Sequence, residues 1–247
     1  GLPKVQHVVV SLTAGGKHAA SIERVHSLDM PAGKPTLSAL WKLFRIVRRE
    51  KPDVLMGWMY HGCLAAVLAR FCRIKPVPMI WNVRQSLYDL KHEKRGSALV
   101  IRALARLSWL PSRITYNTQL GARQHEAIGY AKSKTMLVPN GFDVIKWQPR
   151  NPTRGLIGRF GRNAAMKDYP TFIEAAKLIH AKHPEARFII VGAETSTLEV
   201  PPFIEVLGER HDLPELTASL NIAVSSSAFG EGFPNVVGEA MACAVPV

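Results

Sequence analysis

The sequence predicts an α/β protein built from two parallel-sheet domains, and three observations carry that prediction. Short runs rich in β-branched residues alternate with segments of helical period along the whole chain, the pattern of βαβ units. The alternation breaks once, at Trp147-Gln148-Pro149-Arg150-Asn151-Pro152, where two prolines interrupt a stretch without apolar periodicity. Charge changes at the same place. Residues 1–149 carry 23 Lys and Arg against 8 Asp and Glu, a net +15, whereas residues 150–247 carry 9 against 11, a net −2. Residues 1–149 and 150–247 are therefore read as separate domains.

In the first domain, His7-Val8-Val9-Val10-Ser11-Leu12 reads as a buried strand followed by a turn at Gly15-Gly16. Thr36 is placed to cap a helix whose Leu37, Leu40, Trp41, Phe44 and Val47 follow the helical period up to Pro52. Strands are expected at 53–57, 79–83, 114–116 and 136–138, and helices at 64–71, 97–110 and 120–128. The second domain repeats this grammar. Strands are expected at 155–158, 187–192, 204–208 and 222–225. Asp168 caps a helix with Pro170 in its first turn, and further helices follow at 213–220 and 235–243. Both halves read as Rossmann-type sheets, and a cleft between two such domains is a natural ligand site.

Of the 247 residues 47% are hydrophobic and 21% charged, too apolar for a disordered chain. No uninterrupted apolar run reaches the roughly 18 residues that span a bilayer. Cys63, Cys72 and Cys243 show neither a paired zinc spacing nor an even disulfide framework, which favours a reducing compartment. The net charge of +13 and pI of about 10.0 point to a polyanionic partner: nucleic acid, an acidic membrane surface or a phosphorylated ligand. Against nucleic acid, the chain has no helix-turn-helix, ribonucleoprotein or zinc motif, and its basic residues are not interleaved with stacking aromatics. Because it begins at Gly1 and stops at Val245-Pro246-Val247, which reads as the start of a strand, the chain is read as a fragment with both domains incomplete.

The most informative stretch is Phe229-Gly230-Glu231-Gly232-Phe233-Pro234-Asn235-Val236-Val237-Gly238-Glu239-Ala240-Met241-Ala242. It follows a strand and opens a helix, so free backbone N–H groups near Gly232 to Val236 can face an anion. Gly230 and Gly232 let the backbone approach a ligand closely. Glu231 and Glu239, eight residues apart, suit recognition of sugar or ribose hydroxyls, which donate hydrogen bonds to carboxylates. A structural strand-to-helix turn carrying two solvated glutamates would show the same local pattern.

This stretch resembles the Glu-x7-Glu segment of retaining GT-B glycosyltransferases, especially glycosyltransferase family 4. Gly158-Arg159-Phe160 with Lys167-Asp168-Tyr169 resembles that family's Gly-Arg-x…Lys-x motif, and Leu207-Gly208-Glu209-Arg210-His211-Asp212-Leu213-Pro214 its base-side loop. Val138-Pro139-Asn140-Gly141-Phe142-Asp143 is similar to the end of the family's first domain, and Lys51-Pro52-Asp53-Val54 to its acceptor-domain strand entry. The order of these motifs extends the likeness over nearly the whole chain. It implies the GT-B fold, an acceptor domain facing a nucleotide-sugar domain across a cleft. It also implies transfer of a sugar, from a UDP-linked donor, with retention at the anomeric carbon.

Position by position, the resemblance makes Arg159 and Lys167 the cations that stabilise the departing diphosphate. Glu239 is the carboxylate on the ribose hydroxyls and Glu231 the one near the donor sugar, in a positioning role and not as a nucleophile. Gly158 is the turn glycine of that donor motif. Gly232, Phe233 and Asn235 lie beside sugar and phosphate, Pro234 shapes the turn, and Leu207, Glu209 and Arg210 border the base. On the acceptor side many family members place a His after the strand that here reads Ile80-Trp81-Asn82-Val83-Arg84-Gln85, so Asn82 and Arg84 stand in its place, and His61 is a further candidate for the cleft. Gly15-Gly16 is not the acceptor-side glycine loop, because it follows what reads as the second strand; the first strand, its loop and the following helix are expected outside the chain. No Asp-x-Asp occurs, so the usual carboxylate clamp for a nucleotide-bound divalent cation is lacking; this fits the resemblance, which implies a reaction without metal or other cofactor.

The segment 91–113 sets Lys91, Lys94, Arg95, Arg102, Arg106 and Arg113 beside Leu99, Ile101, Leu104, Leu107 and Trp109, a basic helix with an apolar face suited to anionic lipid. A core-facing helix with a solvated basic side would read the same way. With the family, this points to a lipid-linked or saccharide acceptor, as in bacterial surface-polysaccharide assembly. The enzyme is then cytoplasmic and peripheral on the inner face of the plasma membrane. A nucleotide-sugar epimerase of the same fold and a basic nucleic-acid-binding protein are the alternative readings.

Overall fold

The computed structural model describes residues 5–14, 24–31, 34–71 and 77–247; Gly15-Gly16 and Cys72 lie outside the described residues. The chain divides into two compact units. One runs to Val83 and adds Asp89–Tyr116 and Ala122–Leu137; the other comprises Arg84–Tyr88, Asn117–Gly121 and Val138–Val247.

The first unit opens with β1 (Val9–Ser11) and β2 (Val25–Ser27), a two-stranded parallel sheet. β2 is absent from the sequence expectation, because Val-His-Ser is too short and too polar to read as a strand. α1 (Leu37–Glu50) begins where expected: the Thr36 hydroxyl accepts from the Ala39 N–H at 3.2 Å. It ends on Lys51 in the left-handed region, φ 47°, just before Pro52. Then β3 (Leu55–Trp58), α2 (Met59–Arg70), β4 (Met79–Val83), α3 (Arg95–Leu107), β5 (Arg113–Tyr116), α4 (Gln119–Ala127) and β6 (Thr135–Leu137) follow in strict alternation. The four strands form a parallel sheet in the order β3-β4-β5-β6, each pair bridged by a helical crossover.

α2 starts five residues before the expected Leu64. Its first turn, Met59-Tyr60-His61-Gly62-Cys63, carries no apolar periodicity, and a side chain on Gly57 would lie 2.5 Å from the Cys63 Cα. Close packing of strand against helix fixes this start, which no local signal announces. In α3 the apolar residues separate into two sets. Ala98, Ile101, Leu104 and Ala105 are buried, whereas Leu99 and, just beyond the helix, Trp109 are exposed beside Arg95, Arg102 and Arg106. The expected single apolar face is thus core on one side and two isolated apolar residues in a basic stripe on the other. Unforeseen as well is the fully buried His125 of α4, whose Nε2 meets the Tyr60 hydroxyl at 2.9 Å between the rings of Tyr116 and Tyr130.

In the second unit β7 (Leu156–Phe160), α5 (Tyr169–Lys182), β8 (Arg187–Val191), β9 (Ile204–Gly208), α6 (Leu213–Ala218), β10 (Ile222–Val224) and α7 (Asn235–Ala242) build a second parallel sheet, in the order β10-β7-β8-β9. Side chains alternate between two cores. Ile157, Phe188 and Ile190 pack with Tyr169, Phe172 and Ala176 of α5, while Leu156, Phe160, Ile189 and Val191 pack with Leu220 and Ala240. Burial on both faces explains why Phe188-Ile189-Ile190-Val191 is an unbroken apolar run. Trp147, placed in the linker by sequence, is buried in the second of these cores. The expected strand at 245–247 makes one ladder-like bond, Ala223 N–H to the Pro246 carbonyl at 2.8 Å, without regular strand geometry.

Candidate functional site

The strand order β10-β7-β8-β9 means that the chain runs from β7 outward through β8 and β9, then returns to β10 on the other side of β7. The loops leaving the carboxyl ends of β7 and β10 therefore flank a topological switch point, where open α/β sheets hold ligands. Lys167 comes from the first loop and Glu231 from the second. Lys167 Nζ and Glu231 Oε1 form a short ion pair, with side chains 15% and 22% exposed, so both reach solvent from a largely enclosed position. Ser227, which no motif marks, donates its hydroxyl to the same Glu231 oxygen at 3.3 Å.

Arg159 has no exposed surface. Its Nε donates to Ser226 Oγ at 3.0 Å, and its two terminal nitrogens donate to the carbonyls of Phe160 and Lys167 at 2.5 and 2.7 Å. The guanidinium lies over the Tyr169 ring, 5.0 Å from its centroid. Desolvation draws its pKa below the usual arginine value, and Tyr169, Glu231 and Asp168 oppose that. This side chain braces the Lys167 loop from beneath. The motif makes it a cation for the diphosphate; in the fold its Nε, Nη1 and Nη2 each donate to protein. Ser226 completes the brace by donating to the carbonyls of Lys167 and Asp168 at 2.9 and 3.0 Å. Asp168, at φ 47°, then caps α5 through Thr171.

Backbone contact requires a glycine at 192, and Gly158 is tightly enclosed by a side chain. A Cβ on Gly158 would come within 2.7 Å of both Leu220 methyls, and one on Gly192 would collide with the Gly161 carbonyl oxygen. Gly230 occupies the left-handed region, φ 78°, and turns the chain into Glu231.

The stretch Glu231–Asn235 is held from three other parts of the second unit. Gln85 pairs with Glu231 as an isolated antiparallel bridge. The Asn117 amide and the Arg84 carbonyl wall Gly232, where a Cβ would collide with both. Asn140 donates from Nδ2 to the Phe233 carbonyl at 3.3 Å and to Asn235 Oδ1 at 2.7 Å, and its Oδ1 accepts a short bond from the Arg84 guanidinium. Phe142 packs 6.1 Å from Phe233, centroid to centroid, and against Gly238. α7 begins after Pro234 without a side-chain cap, leaving the N–H groups of Asn235 and Val236 without an acceptor among the described residues. Glu239, one turn further, is half-buried, and desolvation raises its pKa while Lys146 pulls it back.

Leu207 lies in β9, at the opposite edge of the sheet, and Glu209 and Arg210 follow it; Arg210 is a bidentate partner of Asp212 at 2.9 and 2.7 Å. His61 and Asn82 belong to the first unit. His61 is exposed on the first turn of α2, and Asn82 is buried in β4, accepting from Thr115 Oγ1 at 2.9 Å. Of the acceptor-side candidates, Arg84 alone groups with the Glu231 loop. Among the described residues no three His, Cys, Asp or Glu side chains gather in a metal-binding group, and no helix is long and apolar enough to cross a membrane.

Residues 2–146 match the family model described as Glycosyltransferase Family 4, and residues 151–247 the one described as Glycosyl transferases group 1. No curated protein matches the sequence. Among solved structures, Anabaena Alr3699/HepE in complex with UDP and glucose superposes with a TM-score of 0.79 at 19% identity, over 97% of this chain and 71% of that one. TarM of S. aureus gives 0.69 at 15% identity over 85% and 44%. The lipopolysaccharide outer core galactosyltransferase WaaB gives 0.62 at 16% identity over 92% and 64%. The chain thus spans about seven-tenths of the first structure's length and less than two-thirds of the other two.

Proposed function

Because the chain belongs to glycosyltransferase family 4 and has the α/β architecture of GT-B enzymes, we propose that it transfers a sugar from a UDP-linked donor to an acceptor, with retention and without a metal. One observation carries this reading: Lys167 and Glu231 meet at the switch point of a parallel sheet, next to the uncapped N-terminus of α7. A cation and open helix amides accept a diphosphate, and a carboxylate beside them accepts sugar hydroxyls. UDP and UDP-glucose are bound by the Anabaena relative, which supports the choice of nucleotide.

Chemically, the developing charge on the leaving diphosphate is met by Lys167 and by the N–H groups of Asn235 and Val236, so no cation need be carried in with the nucleotide. The acceptor hydroxyl attacks from the face that the diphosphate leaves, a diphosphate oxygen takes its proton, and retention follows without a protein nucleophile. Glu231 orients the donor sugar, Glu239 holds the ribose, and Arg159 acts through the Lys167 loop. The base lies along Leu207, Glu209 and Arg210. Titration with UDP and turnover of a nucleotide-sugar panel with product analysis test the assignment. Lys167→Ala and Glu239→Ala each abolish turnover. Near-normal activity in both, or salt-sensitive duplex DNA binding without UDP binding, refutes the reading.

The acceptor is proposed to be a lipid-linked or surface-polysaccharide precursor, reached from the cytoplasmic face of an anionic membrane. The exposed stripe Arg95, Leu99, Arg102, Arg106 and Trp109 supports this. So does an open surface depression beside it, whose lining of Arg102, Ala105, Arg106, Ile128 and Gly129 includes two of the stripe's arginines.

A further inference from the structure

An asparagine side chain offers two N–H donors and one carbonyl oxygen. In Asn140 all three are committed, and to three different places: the Arg84 guanidinium, the Phe233 carbonyl and the Asn235 side chain. In the sequence Asn140 has no role beyond marking the end of a domain. We propose that Asn140, anchored by Arg84, is a positioning residue that fixes the Glu231–Asn235 loop and keeps the first amides of α7 open to an anion. This rests on the reading of that loop as the donor site.

First, α7 has no side-chain cap, and Asn235 Oδ1, on the first residue of the helix, accepts from Asn140 instead. An amide left without an internal acceptor at a helix N-terminus is a ready donor to phosphate. Releasing Asn235 frees its oxygen to compete for those amides. Second, the loop is also held by the Gln85–Glu231 bridge and by the wall that Asn117 and the Arg84 carbonyl place against Gly232. Arg84 therefore serves twice, with its backbone against Gly232 and its guanidinium on Asn140. A charged donor makes a stronger hydrogen bond than a neutral one, which suits an anchor. Where the resemblance places a histidine that meets substrate, this chain has an arginine that acts through a neighbouring amide.

Two measurements on the whole protein test this, one of them independent of any ligand. Amide hydrogen exchange over residues 229–238, without nucleotide, is compared among the wild type, Arg84→Ala, Asn140→Ala, the double variant and Arg84→Lys. UDP affinity is measured on the same set. Each alanine variant is expected to exchange those amides about tenfold faster and to bind UDP about tenfold more weakly, the scale of one lost charge-assisted bond. The double variant is expected to be no worse than the weaker single, because the two residues act in series. Arg84→Lys should recover part of the protection. Unchanged exchange in both alanine variants, or effects that simply add, overturns the proposal. A wild type that binds no UDP sinks the donor-site reading, and the exchange arm then decides the clamp by itself.

Discussion

Arg159 and Lys167 illustrate what a single residue's environment decides. Both are cations of one motif, yet one is fully buried on three protein acceptors and the other faces Glu231 at the rim. Arg159→Lys removes a planar fork that a point charge cannot replace. It is expected to cost about 2–4 kcal/mol in denaturant unfolding together with activity, whereas Lys167→Ala should lose activity with less than about 1 kcal/mol of stability. Glu239 gives a pH signature. Burial holds its carboxyl above the ordinary value of 4.5, so the folded state binds that proton more tightly than the unfolded chain. The group's contribution to stability is accordingly greatest in acid and falls as pH rises from near 4.5 through the raised folded value. Glu239→Gln should flatten that part of the stability–pH curve and leave the protein at least as stable at pH 7, while UDP-sugar affinity falls. A thiol prediction follows from the same physics: burial pushes Cys63 up to about 12, so iodoacetamide at pH 8 should label it only after unfolding.

At the scale of elements, those with a strong local signature were legible and those made by contact were not. Thr36 and Pro52 bracket α1, Asp168 and Pro170 start α5, and the run Arg187–Val191 announces β8, so each lies where its residues put it. β2 and the first turn of α2 lack such signatures: one is three residues long and the other is fixed by the fit of Gly57 against Cys63. The cap on α1 gives a direct check. Thr36→Ala should destabilise the first unit by about 1 kcal/mol, read as a lower denaturant midpoint, with UDP binding unchanged. For α3 the apolar residues read from sequence include the core Ile101 and Leu104 but also the exposed Leu99 and Trp109, and omit the buried Ala98 and Ala105, because a helix with mixed faces has the same period either way.

For the molecule as a whole, the +13 is carried by the half that holds the α3 stripe. Arg102→Glu with Arg106→Glu should abolish co-sedimentation with phosphatidylglycerol vesicles, and wild-type binding should weaken as salt is raised. Equal binding to neutral and anionic vesicles would count against the membrane proposal. The candidate site was legible as a set of motifs, since Gly158–Phe160 ends β7, Lys167 lies in the loop that follows it, and Glu231–Glu239 runs from the loop after β10 into α7. Its internal wiring was not. Asn140, Asn117, Gln85, Ser226 and Ser227 are ordinary polar residues whose roles come from neighbours mostly distant along the chain.

By itself the sequence determined the alternation of strand and helix, the parallel sheets that alternation requires, the two-part division of charge and the resemblance to glycosyltransferase family 4. All of these are written in local pattern, because side-chain period and turn residues act over a few positions. Packing between distant segments is what encloses Arg159 under the Lys167 loop, seats Trp147 in a core, and bonds Arg84 to Asn140 and Asn140 to the Phe233–Asn235 stretch. There burial and the matching of donors to acceptors, and not sequence spacing, set what each side chain can do.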